Sequence, residues 1–472
     1  MDAVVVGAGP NGLAAALVLA RAGLHVEVFE AESSAGGGCR TEELTLPGFH
    51  HDVCSTIQSM LAISPFFGDL DLAARGVRLC RPEVAFAHPL EGERAVALTG
   101  SVSDTAAGLG GDGVAYEKLV GPLVAGAAKT SPAILAPIRG VPEHPLAMAR
   151  FGVAGLPSVS HLVRRFHGEE APALFAGVAA HAMMPLTSPL TAAVGLFLTM
   201  SAHLGGWPVI EGGSAVLVDA LLAELDDAGG VAHLNRPITS PKDLPDSRVT
   251  LFDTSPRTMV EVMGGRVSAR YRRGVDHYRS GPGVCKVDWA LDGPVPWRAP
   301  VCSRAATLHL GGSFEEIAGA EADVAAGRHP ERPYCIVVQP SVVDPTRAPE
   351  GKSTLWAYCH VPNGSDVDMT SRIEDQIERF APGFRDLILA RSTMTAMDEQ
   401  RYNANYLGGD INGGAATLRQ TVFRPMIRWN PYRTGTPGLY LCSASTPPGG
   451  GVHGMCGAGA ARAALRDLER TQ

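Results

Sequence analysis

The sequence lacks the marks of several common protein classes. Its 472 residues include 40 Lys and Arg against 48 Asp and Glu, so no basic surplus is present to neutralise nucleic-acid phosphates. Its nine cysteines form no C-x-x-C pair and no zinc-ligand spacing, which favours free thiols in a reducing compartment. An ordered Ser-His-Asp motif and the H-E-x-x-H metal motif are also missing. We therefore expect no nucleic-acid partner and no metal site.

Charged side chains are missing from one long segment, residues 171–210. Three prolines and a glycine pair divide it into short pieces, so a membrane-spanning helix is not expected. Three interpretations remain: buried helices of a large core, the lining of an apolar substrate cavity, or a surface that rests on a membrane. In each of them the segment faces apolar surroundings.

An export signal is also missing from the beginning of the sequence. An apolar strand, Ala3 to Val6, follows Met1 so closely that no cationic region and apolar helix fit before it. We therefore expect a cytoplasmic location. Peripheral contact with a membrane is the alternative that the uncharged segment leaves open.

A βαβ unit begins the chain. Residues 4–12 are typical of a strand and a tight turn, and residues 11–22 of a helix. Residues 25–30 form a second strand that ends in Glu30. The glycines of the turn allow a pyrophosphate to approach the backbone, and the helix N-terminus attracts its charge. Because an acid at the end of the second strand binds ribose hydroxyls and repels a 2′-phosphate, the unit predicts FAD or NAD rather than NADP.

Two further glycine-rich segments favour FAD over NAD. Residues 36–41, Gly-Gly-Gly-Cys-Arg-Thr, place Arg40 where it can meet the remaining phosphate charge. A strand at 438–442 leads through a loop with three consecutive glycines into a helix at 455–469. Such a helix N-terminus stabilises the negative charge of a reduced flavin by about 1 to 3 kcal/mol. A site that holds a dinucleotide from both sides is suited to FAD.

The predicted cofactor site combines residues of these three segments. Only one complete dinucleotide fingerprint is present, so a separate NAD domain is not expected. The candidate cofactor-binding residues are Gly7, Gly9, Pro10, Asn11, Gly12, Glu30, Ala31, Gly37, Gly38, Arg40, Thr41, Ser443, Gly451, Val452, His453 and Gly454.

The same motifs resemble a known family. The chain is similar to the phytoene desaturase-type branch of the flavin amine oxidase superfamily in its opening GAGPNGLAAAL, the Gly36-Gly37 pair, the run GFHHD at 48–52 and the closing GLYLCSASTPPGGGVHG. Within that branch it looks closest to bacterial phytoene dehydrogenase-like proteins. The resemblance implies an α/β fold in which a Rossmann-like FAD-binding domain is interleaved with an α+β substrate domain. It also implies noncovalent FAD and oxidation of an apolar substrate or an amine.

The chain departs from the family pattern at several positions. Gly38 stands where the family has arginine, with Arg40 two residues later, and Cys54 replaces a small residue. Ser445 and the pair Pro447-Pro448 replace a glycine and a His-Pro pair of the closing motif. A carotenoid substrate is therefore not carried over from the resemblance.

The middle of the chain supports a two-domain layout. Residues 212–225 are typical of a capped helix and residues 249–253 of a strand, as expected of a second pass through the cofactor domain. β-rich runs at 335–339 and 354–360 suit an antiparallel sheet. We assign the FAD-binding domain to residues 1–75, 205–265 and 415–472, and the substrate domain, an antiparallel sheet with helices, to residues 76–204 and 266–414.

Four polar residues are candidates for catalysis. Lys286 lies in a strand-like run that is similar to the amine oxidase strand whose lysine holds a water against the flavin; the alternative is an exposed strand lysine. His453 is expected beneath the flavin, either to donate a hydrogen bond and exchange a proton or only to cap its loop. By the family pattern His51 and Asp52 lie close to the flavin ring, and a structural hydrogen bond is the alternative.

The sequence thus predicts an FAD-dependent oxidoreductase that takes a hydride from an apolar organic substrate, forms a double bond and passes electrons to oxygen or a quinone. A flavin amine oxidase-like oxidase is one alternative, if Lys286 and an aromatic cage such as Trp289 and Tyr402 line the flavin. A redox-neutral isomerase and a flavin-binding interaction protein with little catalysis are the others. The expected partners are an apolar small molecule and the electron acceptor, and a homodimer is left open.

Overall fold

The structure is a computed structural model that describes residues 1–137 and 141–470. The strands are β1 Ala3–Val6, β2 Val26–Phe29, β3 Thr41–Glu42, β4 His51–Asp52, β5 Leu79–Cys80, β6 Val84–Pro89, β7 Ala95–Thr99, β8 Val209–Ile210, β9 Val231–His233, β10 Val249–Phe252, β11 Gly283–Leu291, β12 Ala305–Leu310, β13 Cys335–Val338, β14 Ser353–Val361, β15 Ile388–Met394 and β16 Leu439–Leu441.

The helices alternate with these strands in the first and last parts of the chain and form a run between β7 and β8. They are α1 Pro10–Arg21, α2 Pro65–Gly68, α3 Val102–Ala107, α4 Gly113–Ala125, α5 Ala127–Ile134, α6 Pro145–Gly155, α7 Val159–Leu162, α8 Glu170–Ala179, α9 Thr191–Gly205, α10 Ala215–Asp227, α11 Pro256–Met263, α12 Ala269–Asp276, α13 Phe314–Ala325, α14 Thr370–Phe380, α15 Ala396–Tyr402, α16 Leu418–Val422 and α17 Met455–Arg470.

A parallel sheet of five strands, in the order β16-β10-β1-β2-β9, carries the predicted βαβ unit. Pro at the first position of α1 and Gly23 after its end, with φ of +85°, are typical start and stop signals. Helix α1 packs closely on α17, where a Cβ on Gly457 would lie 1.8 Å from the Asn11 carbonyl oxygen. The predicted Rossmann-like fold is therefore confirmed.

The strands of this sheet come from three separated parts of the chain, residues 3–29, 231–252 and 439–441. Each part lies within a range that we assigned to the FAD-binding domain. The boundaries of those ranges stay a prediction.

A second sheet of seven strands has the order β15-β11-β14-β13-β12-β6-β7. Its pairs are antiparallel, as predicted, except that β6 and β12 run parallel. The whole length of β11 is buried, because β14 and β15 flank it and α14 packs on it. The parallel pair joins strands far apart in sequence, and a local pattern does not reveal such a pairing.

Helices α8 and α9 account for the uncharged segment. Most side chains of both helices are buried, which agrees with the interpretation of a large core. No single helix in the described ranges is long and apolar enough to cross a membrane. Two consecutive helical segments, Pro145–Gly155 and Val159–Arg165, reach the length and apolar composition of a membrane span only when they are taken together. The chain bends by 90° between them.

Candidate functional site

A large cavity of about 910 Å³ connects the two sheets. Its polar part, here called the dinucleotide end, lies at the carboxyl ends of β1, β2 and β10 and includes Gly7, Gly9, Glu30, Arg40 and Asp253. Ligands of open α/β sheets bind at this edge. The remainder, here called the apolar chamber, is lined by side chains of α6, α9, the segment after α9 and the antiparallel sheet. They include Met148, Phe151, Ala193, Val194, Phe197, Leu198, Trp207, Ile336, Val338 and Trp356.

Two glycine turns meet at the dinucleotide end. Gly9 caps α1 without a side chain, and a Cβ on Gly37, whose φ is +54°, would lie 3.2 Å from the Gly9 Cα atom. Beneath the turn, a Cβ on Gly12 would lie 2.1 Å from the Gly7 carbonyl oxygen. Within the described part of the chain, the backbone N–H groups of Gly9 and Asn11 donate no hydrogen bond. The helix N-terminus therefore offers free donors to a phosphate.

Buried polar atoms without partners indicate a polar ligand at this end, and the cationic donor among them favours an anionic group. Among the described residues, neither Asn11 Oδ1 nor Arg40 Nε has a hydrogen-bond partner, and both side chains line the cavity. Arg40 is fixed by a 2.8 Å hydrogen bond to the Ser34 carbonyl oxygen and lies 5.4 Å from the ring centre of Tyr402. A buried guanidinium with a free N–H suits phosphate, so these residues fit the pyrophosphate of a dinucleotide.

Glu30 follows β2 directly and faces the same turn. Its Oε2 accepts a 2.7 Å hydrogen bond from the Ala8 N–H, and its Oε1 accepts one of 3.1 Å from the Glu32 N–H. Arg40 Nη2 lies 3.9 Å from Oε1. A carboxylate has about four acceptor positions, so Glu30 retains capacity for the two ribose hydroxyls of an adenosine.

Asp253 is a residue of this site that the sequence analysis did not select. It follows β10, and its Oδ2 accepts a 2.7 Å hydrogen bond from the Gly12 N–H at the start of α1. Burial and, to a smaller extent, the charge of Glu30 raise the pKa of Asp253 to about 7, against the lowering by this hydrogen bond. A signal was present in the sequence, because residues 249–253 are predicted to be a strand of the cofactor domain and ligands bind at the carboxyl ends of such strands.

Most predicted cofactor residues line the cavity. These are Gly7, Gly9, Pro10, Asn11, Glu30, Ala31, Gly37, Gly38, Arg40, Ser443, Gly451, Val452 and His453. Three do not line it, because their roles are in packing. Gly12 lies beneath the first turn, Thr41 donates a 2.7 Å hydrogen bond to Asp52, and a Cβ on Gly454 would lie 2.4 Å from the Phe66 ring.

The loop before α17 brings free backbone donors to the cavity. Gly450, Gly451 and Val452 line it, and their N–H groups donate no hydrogen bond within the described part of the chain. Gly451 has φ of +115°, and a Cβ there would lie 2.4 Å from the Met60 sulfur. These donors and the N-terminus of α17 suit a ligand atom that carries negative charge.

His453 is held by its own loop. Its Nδ1 accepts a 3.0 Å hydrogen bond from the Met455 N–H, and its Nε2 lies 3.1 Å from the Gly449 carbonyl oxygen. The proton is therefore on Nε2, and burial lowers the pKa of His453 to about 4. Because both ring nitrogens are used by the backbone, the geometry favours the capping interpretation over proton exchange.

Lys286 and His51 meet in a buried polar cluster rather than at the cavity wall. Lys286 forms an ion pair with Asp288, and the other oxygen of Asp288 lies 3.5 Å from His51 Nδ1. His51 Nε2 lies 2.8 Å from Thr45 Oγ1. Lys286 Nζ is 5.2 Å from the ring centre of Trp356, which does line the cavity. Lys286 is thus neither an exposed lysine nor a wall residue, and it lies behind Trp356.

Asp52 joins three parts of the chain. Its carboxylate accepts hydrogen bonds from Thr41 and Ser214, and its Oδ2 lies 2.9 Å from Arg347 Nη1. Burial raises the pKa of Asp52, but the charge of Arg347 and these hydrogen bonds outweigh it and hold the pKa below the usual value. Asp344 also pairs with Arg347 at 2.7 Å. Asp52 is not a wall residue, so the structural alternative describes it.

A nearby side chain explains why position 38 is a glycine. A Cβ there would lie 2.7 Å from the Tyr406 hydroxyl oxygen, so an arginine at this position would require the Tyr406 side chain to move. Tyr406 and the neighbouring Cys54 both line the cavity. Burial raises the pKa of the Cys54 thiol to about 12, which keeps it protonated and unreactive.

The uncharged segment contributes much of the apolar chamber. In addition to its place in the core, it lines the cavity with His181, Ala182, Leu190, Ala193, Val194, Phe197, Leu198 and Trp207. Trp356 and Tyr358 on β14 form a stacked pair with centres 5.8 Å apart at the chamber wall. The carboxylates that line the cavity within the described residues, Glu30, Glu32 and Asp253, all lie at the dinucleotide end. The segment therefore serves both the core and the cavity.

Comparisons with known proteins agree with this geometry. Residues 5–65 match the NAD(P)-binding Rossmann-like domain. The chain is 28% identical to pyridine nucleotide-disulfide oxidoreductase domain-containing protein 2 of Mus musculus, over 99% of this chain and 94% of the mouse protein. It is 34% identical to 4,4'-diapolycopen-4-al dehydrogenase of Metabacillus indicus over 26% of each chain.

A solved structure shows the same fold over the whole chain. A putrescine oxidase with redesigned cofactor binding superposes with a TM-score of 0.63 at 17% identity, covering 99% of both chains. These similarities confirm the resemblance predicted from the motifs. In sequence the chain is similar to the mouse oxidoreductase domain-containing protein over nearly its full length and to the dehydrogenase over about a quarter of it, and it shares its fold with the putrescine oxidase.

Proposed function

We propose that this protein is an FAD-dependent oxidoreductase that takes a hydride from an apolar organic substrate and passes the electrons to oxygen or a quinone. The main support for the proposal is that the cavity is continuous. The cavity joins the glycine turns that fit a dinucleotide to a chamber lined by apolar and aromatic side chains. A cofactor that extends from the first part into the second would face a substrate in the chamber.

The residues at the dinucleotide end match the parts of FAD. Glu30 has free acceptor capacity for the ribose, and Arg40 with the N-terminus of α1 would hold the pyrophosphate. The free N–H groups of the loop at 450–452 would meet the flavin ring. When bound, FAD supplies a two-electron acceptor, and the chain supplies its placement and the stabilisation of negative charge.

The chamber walls favour an apolar substrate over an amine. An ammonium group needs a carboxylate or an aromatic cage, and the lining carboxylates lie at the other end of the cavity. Of the predicted cage, Trp289 is fully buried and donates a 3.1 Å hydrogen bond to Glu374 instead of lining the cavity. Tyr402 lines it but donates its hydroxyl to Glu42. Because Lys286 and Trp289 do not line the cavity, we favour an apolar substrate over an amine.

The first experiment is the visible spectrum of the purified protein with and without added FAD. It is followed by anaerobic photoreduction and timed exposure to air. If the absorbance of oxidised flavin returns quickly in air, oxygen is supported as the electron acceptor. If it returns slowly in air and a soluble quinone accelerates it, a dehydrogenase is supported. Bands that can be neither reduced nor restored at useful rates would contradict the enzyme proposal and favour an interaction protein.

Substrate chemistry separates the remaining alternatives. The flavin should be bleached anaerobically by an apolar substrate and not by putrescine or another primary amine. Bleaching by amines alone would overturn the apolar assignment. Absence of flavin bands after addition of FAD would overturn the assignment of FAD as the cofactor.

A further inference from the structure

Two histidines form a hydrogen-bonded pair at the wall of the apolar chamber. His181, in the turn after α8, lines the cavity, and its Nε2 lies 2.9 Å from Nε2 of His309 on β12. His309 is fully buried behind it. Within the described part of the chain, Nδ1 of His181 makes no hydrogen bond. One imidazole therefore faces the chamber and the other supports it from behind.

Thr307 adds a second polar atom to the wall of the same cavity. It lies two residues before His309 on β12, so both side chains leave the strand on the same face. Thr307 is 1% exposed, lines the cavity, and its Oγ1 has no hydrogen-bond partner among the described residues. A buried hydroxyl without a partner costs free energy unless a ligand or water satisfies it.

The surroundings fix His309 in one place. A Cβ on Gly177 would lie 2.7 Å from His309 Cβ, so the helix approaches the ring as closely as only glycine allows. Phe86 and Trp207 contact it at ring-centre distances of 5.1 and 5.8 Å, and Tyr334 stacks on it at 6.2 Å. His309 has no freedom to reorient.

The hydrogen-bond pattern assigns the proton of His181. Burial lowers the pKa of His181 to about 3 and that of His309 well below its usual value, so both rings are neutral. One of them must donate from Nε2 and the other must accept. His309 Nδ1 is buried without a partner among the described residues, and an unpaired lone pair there is less costly than an unpaired N–H. His309 therefore donates, and His181 carries its proton on the free Nδ1.

The backbone around His181 is held in a costly conformation. Met183 and Leu190, which bracket the loop after His181, have φ of +53° and +69°. Such conformations of non-glycine residues persist where the surrounding structure requires them, and they concentrate at binding sites. Leu190 itself lines the cavity.

We infer that His181 and Thr307 form a hydrogen-bonding subsite for one carbonyl oxygen of an otherwise apolar substrate, with His309 as the positioning residue that fixes the tautomer of His181. The inference rests on the proposed function, because the same chamber presents the substrate to the cofactor. It narrows the substrate class from apolar molecules in general to apolar ketones or aldehydes.

The test compares two small probes that differ in one group, 4-phenylbutan-2-one and n-butylbenzene. Their binding to the FAD-loaded protein is followed by tryptophan fluorescence, since Trp207 lies 5.6 Å from the His181 ring centre. His181→Phe and Thr307→Val should each weaken binding of the ketone about 5- to 10-fold and change that of the hydrocarbon less than about 2-fold. His181→Gln keeps a donor and should recover most of the ketone affinity.

Thr199→Val is the matched control. Thr199 Oγ1 is also buried without a partner among the described residues, but the side chain does not line the cavity. This variant should leave both probes unchanged. Equal weakening of ketone and hydrocarbon by Thr307→Val, or no weakening of the ketone, would overturn the inference.

An infrared measurement on the unmodified protein does not depend on any variant. The carbonyl stretch of ¹³C-labelled ketone should move to lower frequency on binding, and an unshifted band would contradict donation by His181 and Thr307. Flavin absorbance of the same sample reports the proposed function separately. Bound FAD with an unshifted band would refute only the subsite, whereas absence of FAD would refute the proposed function.

Discussion

The carboxyl group of Asp253 should make FAD binding depend on pH. It lies at the N-terminus of α1, where its Oδ2 accepts a 2.7 Å hydrogen bond from the Gly12 N–H, beside the free N–H groups of Gly9 and Asn11 that would receive a phosphate. Glu30 is the charged neighbour that raises its pKa further after burial, and Arg40 lies beyond Glu30 at 3.9 Å. Below its pKa of about 7 Asp253 is neutral, and above it the carboxylate repels a phosphate.

The size of the effect follows from two estimates. At about 5 Å and an effective dielectric constant of about 20, two negative charges repel by about 3 kcal/mol. Protonating the carboxylate instead costs about 1.4 kcal/mol for each pH unit above its pKa. The Kd of FAD should therefore rise by up to about tenfold per unit from about pH 7 to about pH 9, and then level off.

The assay is titration of the FAD-free protein with FAD at several pH values. Asp253→Asn should bind with little dependence on pH and, at about pH 9, about 100-fold more tightly than the unmodified protein. Asp226→Asn, which changes an exposed acid on α10, should behave as the unmodified protein. A flat pH profile of the unmodified protein, or an unaltered slope in Asp253→Asn, would refute the reasoning.

Stability of the protein without FAD checks the same pKa independently. A carboxyl whose pKa is 3.8 when unfolded and about 7 when folded stabilises the fold fully below pH 3.8. About 4 kcal/mol of this contribution is lost as the pH rises through the folded pKa. Asp253→Asn should remove this loss, as measured by denaturant titrations between about pH 4 and about pH 8.

Three further predictions concern the packing around the cavity. Gly12→Ala should abolish FAD binding, since the new Cβ would lie 2.1 Å from the Gly7 carbonyl oxygen. Flavin absorbance after dialysis measures the FAD that stays bound. Lys286→Met should lower the free energy of unfolding by about 3 to 5 kcal/mol, because Asp288 is left buried without its partner. Arg347→Met should lower it by a similar amount, about 3 to 5 kcal/mol, because two buried carboxylates lose their cation. Denaturant titration measures both losses.

Each of these changes has a control in the same chain. A Cβ on Gly121 in α4 meets open space, so Gly121→Ala should retain FAD. Lys352→Met and Arg304→Met break ion pairs at the surface and should change the free energy of unfolding by less than about 1 kcal/mol. Retention of FAD by Gly12→Ala, or losses at Lys286 and Arg347 no larger than those of the surface controls, would contradict the packing argument.

The dinucleotide end was predictable because its signals are local. The strand, turn and helix at 4–22 differ from the observed elements by one or two residues, and Glu30 faces the turn as its spacing indicated. A phosphate-binding turn requires glycine at fixed offsets, so the chemistry is written in consecutive residues. The closing loop at 443–453 was recognisable for the same reason.

The catalytic candidates were less predictable because most of their neighbours are distant in sequence. Asp288 is only two residues from Lys286, but no local pattern reveals that His51 joins this ion pair or that Trp356 separates Lys286 from the cavity. Asp52 looked like a flavin neighbour until Arg347, about 300 residues away, was seen to pair with it. Removal of a buried charge from water demands an opposite charge, and only the folded chain shows which one is near.

The sequence by itself therefore determined the fold class, the place of the cofactor turn and the apolar nature of the segment at 171–210. Only the tertiary structure decided that this segment lines a cavity and that His181 meets His309 there. Turns and helix starts depend on neighbouring residues, whereas burial and hydrogen-bond partners depend on which distant segments pack together. Strands from opposite ends of the chain bring those segments into contact.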